Sequence, residues 1–160
     1  MVQLVQMTEE EFQNFLARDI KEYAEENVKA GYWAETEAME KSRQDHERLL
    51  PDGLATKDHY LFTIESDNGE RVGMLWLRVD LASPVPSGFI FDLYVDEAFR
   101  RKGYAKQAML ELEKRARELG LKRLALHVFA HNTGAKALYN QLNYKIGSLN
   151  MTKDLSSDHE

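Results

Sequence analysis

An apolar run from Gly88 to Val95 leads into Arg100-Arg101-Lys102-Gly103-Tyr104-Ala105, which opens a helical pattern reaching about Leu119. A strand that passes through a basic, glycine-containing turn into a helix N-terminus forms an anion cradle. The N–H groups of a helix's first turn lack partners and the macrodipole adds partial positive charge there, so a pyrophosphate is a natural occupant. Gly103 lets the backbone approach such a ligand with no Cβ in the way. Beyond the helix, Lys122 to Phe129 reads as another strand and Thr133 to Leu142 as a short helix. Strand, crossover helix and second strand make a parallel β-α-β unit, whose ligands bind at the carboxyl ends of the strands.

The rest of the chain supplies the remaining layers. Val2 to Met7 is a short strand candidate, and Thr8 followed by Glu9, Glu10 and Glu11 offers a helix cap with acidic residues at the positive end. Phe12, Phe15, Leu16, Ile20 and Tyr23 recur at helical spacing, which predicts a helix from Glu9 to Lys29 ended by Gly31. Thr36 precedes a more polar helix to about Leu50, closed by the turn Pro51-Asp52-Gly53. Tyr60 to Ser66 and Arg71 to Asp80 flank Asp67-Asn68-Gly69, a hairpin signal that predicts antiparallel pairing. Tyr144 to Lys153 reads as a last strand, and residues 156–160 as a frayed tail beyond a single domain over 1–155. This order is α/β.

Composition removes several classes of function. Cysteine is absent, which excludes a disulfide framework, a thiolate metal site and a cysteine nucleophile; no metal site is read. No apolar run approaches a membrane span, and the N-terminal residues are acidic where a secretory signal would be basic, so a cytoplasmic protein without a membrane partner is expected. The net charge of -6 argues against nucleic acid as a partner. Arg100, Arg101, Lys102 and Lys106 nevertheless form a local basic cluster against that global sign.

The spacing Arg-x-x-Gly-x-Ala after a strand, followed by Asn132-Thr133-Gly134-Ala135-Lys136-Ala137-Leu138-Tyr139, resembles the GNAT N-acetyltransferase superfamily. The resemblance runs from about Tyr60 to Met151. Leu126 to Asn132 and Asn150 to Lys153 look most like bacterial members whose acceptor is unassigned. It implies a mixed, mostly antiparallel central sheet with one parallel, splayed strand pair and about four flanking helices. It also implies acetyl-CoA as cofactor, its pyrophosphate held by Arg100, Arg101, Lys102, Gly103, Tyr104, Ala105 and Lys106. Leu93, Tyr94 and Val95 would lie along the pantetheine, with Asn132, Ala135, Lys136 and Tyr139 beside its arm. The partner implied is a primary amine, carried by a small molecule or a protein and acetylated by direct attack in a ternary complex. Pairing of relatives through late strands admits a homodimer.

Moving an acetyl group from a thioester to an amine needs a neutral amine, a stabilised oxyanion and a proton for the departing thiolate. Tyr139 stands at the family position of the proton donor; read by periodicity alone it is a packing residue. His127 occupies a strand position where some relatives carry a base, and water is the alternative. Phe89 and Phe91 fall at other base positions and take no proton. Asp92 should point away from Phe91's face by alternation and bond backbone or a basic side chain. Tyr32 and Trp33 would wall an acceptor slot, faced by Trp76, Phe91 and His127; for Trp76 core packing is the favoured reading. Asn132 also suits a helix N-cap, and Asn143 replaces a family glycine while tolerating the left-handed conformation. A non-catalytic acyl-CoA sensor on the same fold is the alternative function. A P-loop enzyme is disfavoured, because the basic turn lacks the second glycine and the Lys-Ser/Thr pair.

Overall fold

A computed structural model describes residues 1–156. In chain order it contains β1 (Val2–Gln6), α1 (Glu9–Lys29), α2 (Glu35–Leu49), β2 (His59–Ser66), β3 (Arg71–Asp80), β4 (Ser87–Val95), α3 (Tyr104–Glu118), β5 (Arg123–Leu126) and α4 (Thr133–Gln141). The strands form one five-stranded sheet in the order β1-β2-β3-β4-β5. Every neighbouring pair is antiparallel except β4 and β5, which are parallel.

Local chemistry explains the element ends. Thr8 caps α1 by accepting from Glu11 N at 3.1 Å while Thr8 N donates to the Glu11 carboxylate at 2.9 Å, the reciprocal capping box. Gly31 follows the helix at φ 85°. The Asp67-Asn68-Gly69 turn joins β2 to β3 with Gly69 at φ 79°, as the Asn-Gly signal predicts. Asn143 takes φ 68°, the left-handed conformation expected where it replaces a glycine.

Alternation along the strands fills two layers. On one face Phe62, Ile64, Leu75, Leu77 and Ile90 pack with Ala108, Met109 and Leu112 of α3. On the other, Leu61, Met74 and Trp76 pack with Phe12 and Phe15 of α1. The β3–β4 register slips midway along these strands: Trp76 pairs with Asp92 and Leu77 with Ile90, so Phe91 is an extra residue in a β-bulge.

The structure corrects several sequence expectations. α2 begins at Glu35, with Glu37 reaching back to the Ala34 N–H at 3.0 Å, so Thr36 lies inside the helix. β5 ends at Leu126 rather than Phe129, because its pairing with β4 stops there. The strand expected over Tyr144 to Lys153 is absent. A strand needs a partner for its backbone groups, and a groove of about 1390 Å³ lined by β5, α4 and the segment itself lies where the pairing would be. Ile146, Leu149 and Met151 are correspondingly exposed. Ser156 is a bend, and the rest of the expected tail, 157–160, lies outside the described residues. Among the described residues no helix is long and apolar enough to cross a membrane.

Candidate active site

The parallel ladder runs from Ser87 opposite Arg123 to Ile90 opposite Leu126 and stops. β4 continues to Val95, paired with β3 alone. Its second half, Phe91 to Val95, therefore offers one edge of backbone amides and carbonyls that no strand takes up, in a gap where the polypeptide beyond Leu126 has left the sheet. Backbone groups of this kind require partners. Leu93, Tyr94 and Val95, expected along the pantetheine, all lie in this open half.

The basic turn closes the end of the gap. Gly103 is the N-cap of α3 at φ 82°, and Arg101 sits at φ 65°, so the turn holds two left-handed residues in succession but one. A non-glycine residue with positive φ is uncommon and collects at sites that bind. Arg100 Nε donates to Val95 O at 2.8 Å and its guanidinium lies 5.1 Å from the Tyr94 ring centre, which ties the turn to β4. A cavity of about 300 Å³ is bordered by Val95, Arg100, Arg101 and Gly103, by Tyr104, Ala105 and Lys106 at the start of α3, and by Leu138 and Gln141 of α4. Arg100, Arg101, Lys102 and Lys106 are exposed around it. The residues fit an elongated anionic ligand: helix N–H groups and cations at one end, an open strand edge along the other.

Tyr139 lies on α4, partly buried against the α3-side core and 5.8 Å from the Tyr144 ring. Burial first, and then the charge of Asp92, push its phenol up to about 12. It therefore stays protonated at neutral pH and can donate. Asn132 caps α4, its Oδ1 accepting from Ala135 N at 3.4 Å, while Lys136 Nζ donates to Ala130 O at 3.3 Å. The N-cap reading of Asn132 is thus realised, and Lys136 points back to its own loop.

Beside this gap stands a polar cluster that sequence reasoning missed. The Arg18 guanidinium lies 3.6 Å from the Tyr94 ring centre, and its Nη2 is 3.6 Å from Asp92 Oδ2. Asp19 Oδ2 is 2.6 Å from His46 Nε2, and His46 Nδ1 is 2.8 Å from Ser42 O. Since a carbonyl only accepts, Nδ1 carries a proton. Burial alone would lower the His46 pKa, but the hydrogen bonds to Asp19 and Ser42 outweigh it and raise it. Burial would likewise raise Asp19, yet hydrogen bonds with Asp92 and His46 hold it below the usual carboxylate range. Asp92 goes the other way: burial and then the Asp19 charge hold it well above that range. Glu22 is raised by burial despite Arg18 beside it. The available signal was Asp19 itself, a carboxylate between Phe15 and Tyr23 at spacings of four on the apolar stripe of α1.

The proposed slot residues do not all meet. Tyr32 comes within 6.5 Å of Phe129, which stacks on His131 at 5.5 Å and meets His127 edge-on at 4.9 Å. His131 Nε2 in turn pairs with Glu26 of α1. Trp33 turns the other way, edge-on to Tyr23 at 5.5 Å with Lys41 above it. Trp76 is 2% exposed and stacks on Phe91 at 4.6 Å, its Nε1 donating to His59 Nδ1 at 2.9 Å. Its ring is buried in the α1-side core between Phe15, His59 and Phe91.

Comparison with known proteins now decides the family. The model of the family described as Acetyltransferase (GNAT) family matches residues 16–144. The chain belongs to the GNAT acetyltransferase family. It is 45% identical over 152 residues to the Uncharacterized N-acetyltransferase YdgE of Bacillus subtilis, covering 95% of this chain and 97% of that one. It is 41% identical over 154 residues to YycN of the same organism, covering 96% and 99%. The crystal structure of YycN superposes with a TM-score of 0.93 over 97% of this chain and 99% of that one. An acetyl transferase structure from Pyrococcus furiosus, at 22% identity and a TM-score of 0.65 over 97% and 100% of the two chains, shares the fold. This GNAT chain is an acyltransferase, with the mixed sheet and flanking helices of its family.

Proposed function

We propose that the chain transfers acetyl from acetyl-CoA to a primary amine by direct attack within a ternary complex. The observation that carries this reading is the end of the β4–β5 ladder at Ile90 and Leu126, which leaves Phe91 to Val95 open on the way to the basic turn and the N-terminus of α3. The first turn of α3, with Arg101 and Gly103, would hold the pyrophosphate. The free edge of Leu93 to Val95 would bond the amides of the pantetheine arm in place of a strand. Bound so, the thioester supplies an activated acyl carbon. Tyr139, kept as a phenol, gives its proton to the departing sulfur. Tyr32 and the strip of His127, Phe129 and His131 form an aromatic wall that suits an acceptor, with Glu26 adding negative charge favourable to a cationic amine.

The test has two parts. Titration calorimetry should show saturable binding of acetyl-CoA that an Arg101→Glu, Gly103→Asp double variant loses. Thiol release in the presence of primary amines should then fall by roughly 100-fold or more in Tyr139→Phe, with acetyl-CoA affinity unchanged. A wild-type protein that does not bind acetyl-CoA would overturn the reading. Binding without thiol release for any amine would leave the non-catalytic sensor.

A further inference from the structure

Past the last rung of the ladder, β4 turns a carboxyl toward α1. Simple alternation would place Asp92 opposite to Phe91. The bulge cancels that: Ile90 and Leu93 pack in the α3-side core, Phe91 and Tyr94 in the α1-side core, and Asp92 meets Arg18 and Asp19 of α1. Re-aiming a side chain is a recognised use of a bulge. The expected basic partner is present in Arg18, but on the face that sequence reasoning excluded.

Asp92 Oδ2 is buried with no hydrogen-bond partner, and so are Nε and Nη2 of Arg18. The 3.6 Å between Oδ2 and Nη2 is too long for a hydrogen bond. Buried polar atoms are seldom left in this condition, and a carboxylate oxygen that is calls for an occupant or a chemical role. The groups facing Asp92 are Arg18, Asp19 and Glu22 from α1 and Tyr139 from α4, with His46 of α2 behind Asp19. The Asp92 and Asp19 carboxyls are pushed apart in acidity: burial and the Asp19 charge hold Asp92 well above the usual carboxylate range, while Asp19, 2.6 Å from His46 Nε2, is held below it. His46 behind Asp19 favours Asp19 as the anion, so Asp92 is the carboxyl of the two that holds a proton more readily.

We propose that Asp92 is the catalytic residue that takes the proton of the attacking amine, and that Asp19 and His46 are positioning residues that hold it. This rests on the acetyl-transfer reading. In the step, the amine nitrogen bonds to the thioester carbonyl carbon and its N–H proton passes to ionised Asp92. The C–S bond breaks, its electron pair leaves on sulfur, and Tyr139 gives that sulfur its hydroxyl proton. Asp92 then holds one proton more and Tyr139 one fewer, and transfer between them restores both. Arg18 and the His46 imidazolium balance the two carboxylates when both are ionised. A carboxyl poised above its ordinary range, next to a phenol that remains protonated, is the separation an acid-base pair requires.

Asp92 must be ionised to act, so kcat/KM should rise with pH and level off as the coupled pair loses its proton. Asp92→Asn should remove that rising limb and lower kcat/KM by roughly 100-fold or more, with calorimetric affinity for acetyl-CoA retained. Asp92→Glu should restore part of the limb, and His127→Ala should keep it. A second readout is independent of turnover. The phenolate absorbance of Tyr139, isolated by difference from Tyr139→Phe, should appear at lower pH in Asp92→Asn, because a neighbouring negative charge is gone. A wild-type pH profile in Asp92→Asn, or its loss in His127→Ala alone, overturns the proposal. Should Asp92→Asn not fold, carbon-13 titration of the wild-type Asp92 carboxyl decides: a change across the rising limb supports the proposal and a silent carboxyl overturns it. Failure of the wild type to bind acetyl-CoA would instead sink the parent reading.

Discussion

The two halves of β4 share a strand and differ in everything the strand is used for. Ser87 to Ile90 is paired on both edges, with β3 and with β5. Gly88 and Ile90 are buried there, and the half belongs to the core. Phe91 to Val95 is paired on one edge, every residue is only partly buried, and Arg18, Arg100, Tyr139 and Asp92 gather around it. The change falls at the bulge, where the ladder to β5 also stops. A sheet thus turns from scaffold to site without a new element, by withholding a neighbouring strand and adding a residue to a register.

Small substitutions on either side should separate the two roles. The largest effect is expected for Gly73→Ala on β3. A Cβ there would lie 2.1 Å from Tyr94 O, a backbone atom that cannot rotate away, so the open half would have to shift. Stability should fall by about 3 kcal/mol, and acetyl-CoA affinity should fall beyond what unfolding explains; thermal melts and calorimetry read the two. Gly88→Ala is the counterpart in the paired half. Its Cβ would meet the ends of Leu77, Leu121 and Leu124 at 2.9 to 3.0 Å, side chains that can give. A loss of about 1–2 kcal/mol is expected, with acetyl-CoA affinity of the folded protein intact. Should Gly88→Ala weaken binding as much as Gly73→Ala does, the division between halves fails.

Gly103→Ala tests the end of the open half. Its Cβ has room, but φ 82° disfavours any side chain, so about 1 kcal/mol of stability should be lost. The backbone adjustment should also weaken acetyl-CoA binding measured by calorimetry. Smaller again is the effect of pH on the polar cluster. His46 is raised on folding, so its contribution is complete below the unfolded value and lost as pH rises through the folded one. Asp92, also raised, favours the folded state least once it must ionise. Asp19 is lowered, and its contribution disappears only in acid. The melting temperature should therefore fall by roughly 2–4 °C between weakly acidic and mildly alkaline pH, and His46→Gln should flatten part of that slope. A wild-type melting temperature that rises over this range would contradict the assigned directions.

Much of this was legible because it was local. The Asn-Gly hairpin, the Thr8 cap, the Gly103 turn and the order of strands each depend on a few adjacent residues. What escaped depended on partners distant in sequence. Tyr144 to Lys153 reads as a strand by its residues, yet residues alone cannot supply the neighbour that a strand needs. Asp92 was assigned to the wrong face because a bulge is a property of pairing, which one strand alone does not encode. Arg18, Asp19 and His46 come from two helices early in the chain and meet β4 only in the folded molecule. Trp33 and Trp76 were grouped by chemistry, and the packing sent them to different places.

Backbone hydrogen exchange of β4 with and without acetyl-CoA tests the division of the strand most directly. The expected result is that amides within Phe91 to Val95 gain protection on addition of acetyl-CoA, together with those at the start of α3, while Ser87 to Ile90 stay as they were. Unchanged exchange in Phe91 to Val95, with acetyl-CoA demonstrably bound, would contradict it and place the ligand elsewhere on the chain.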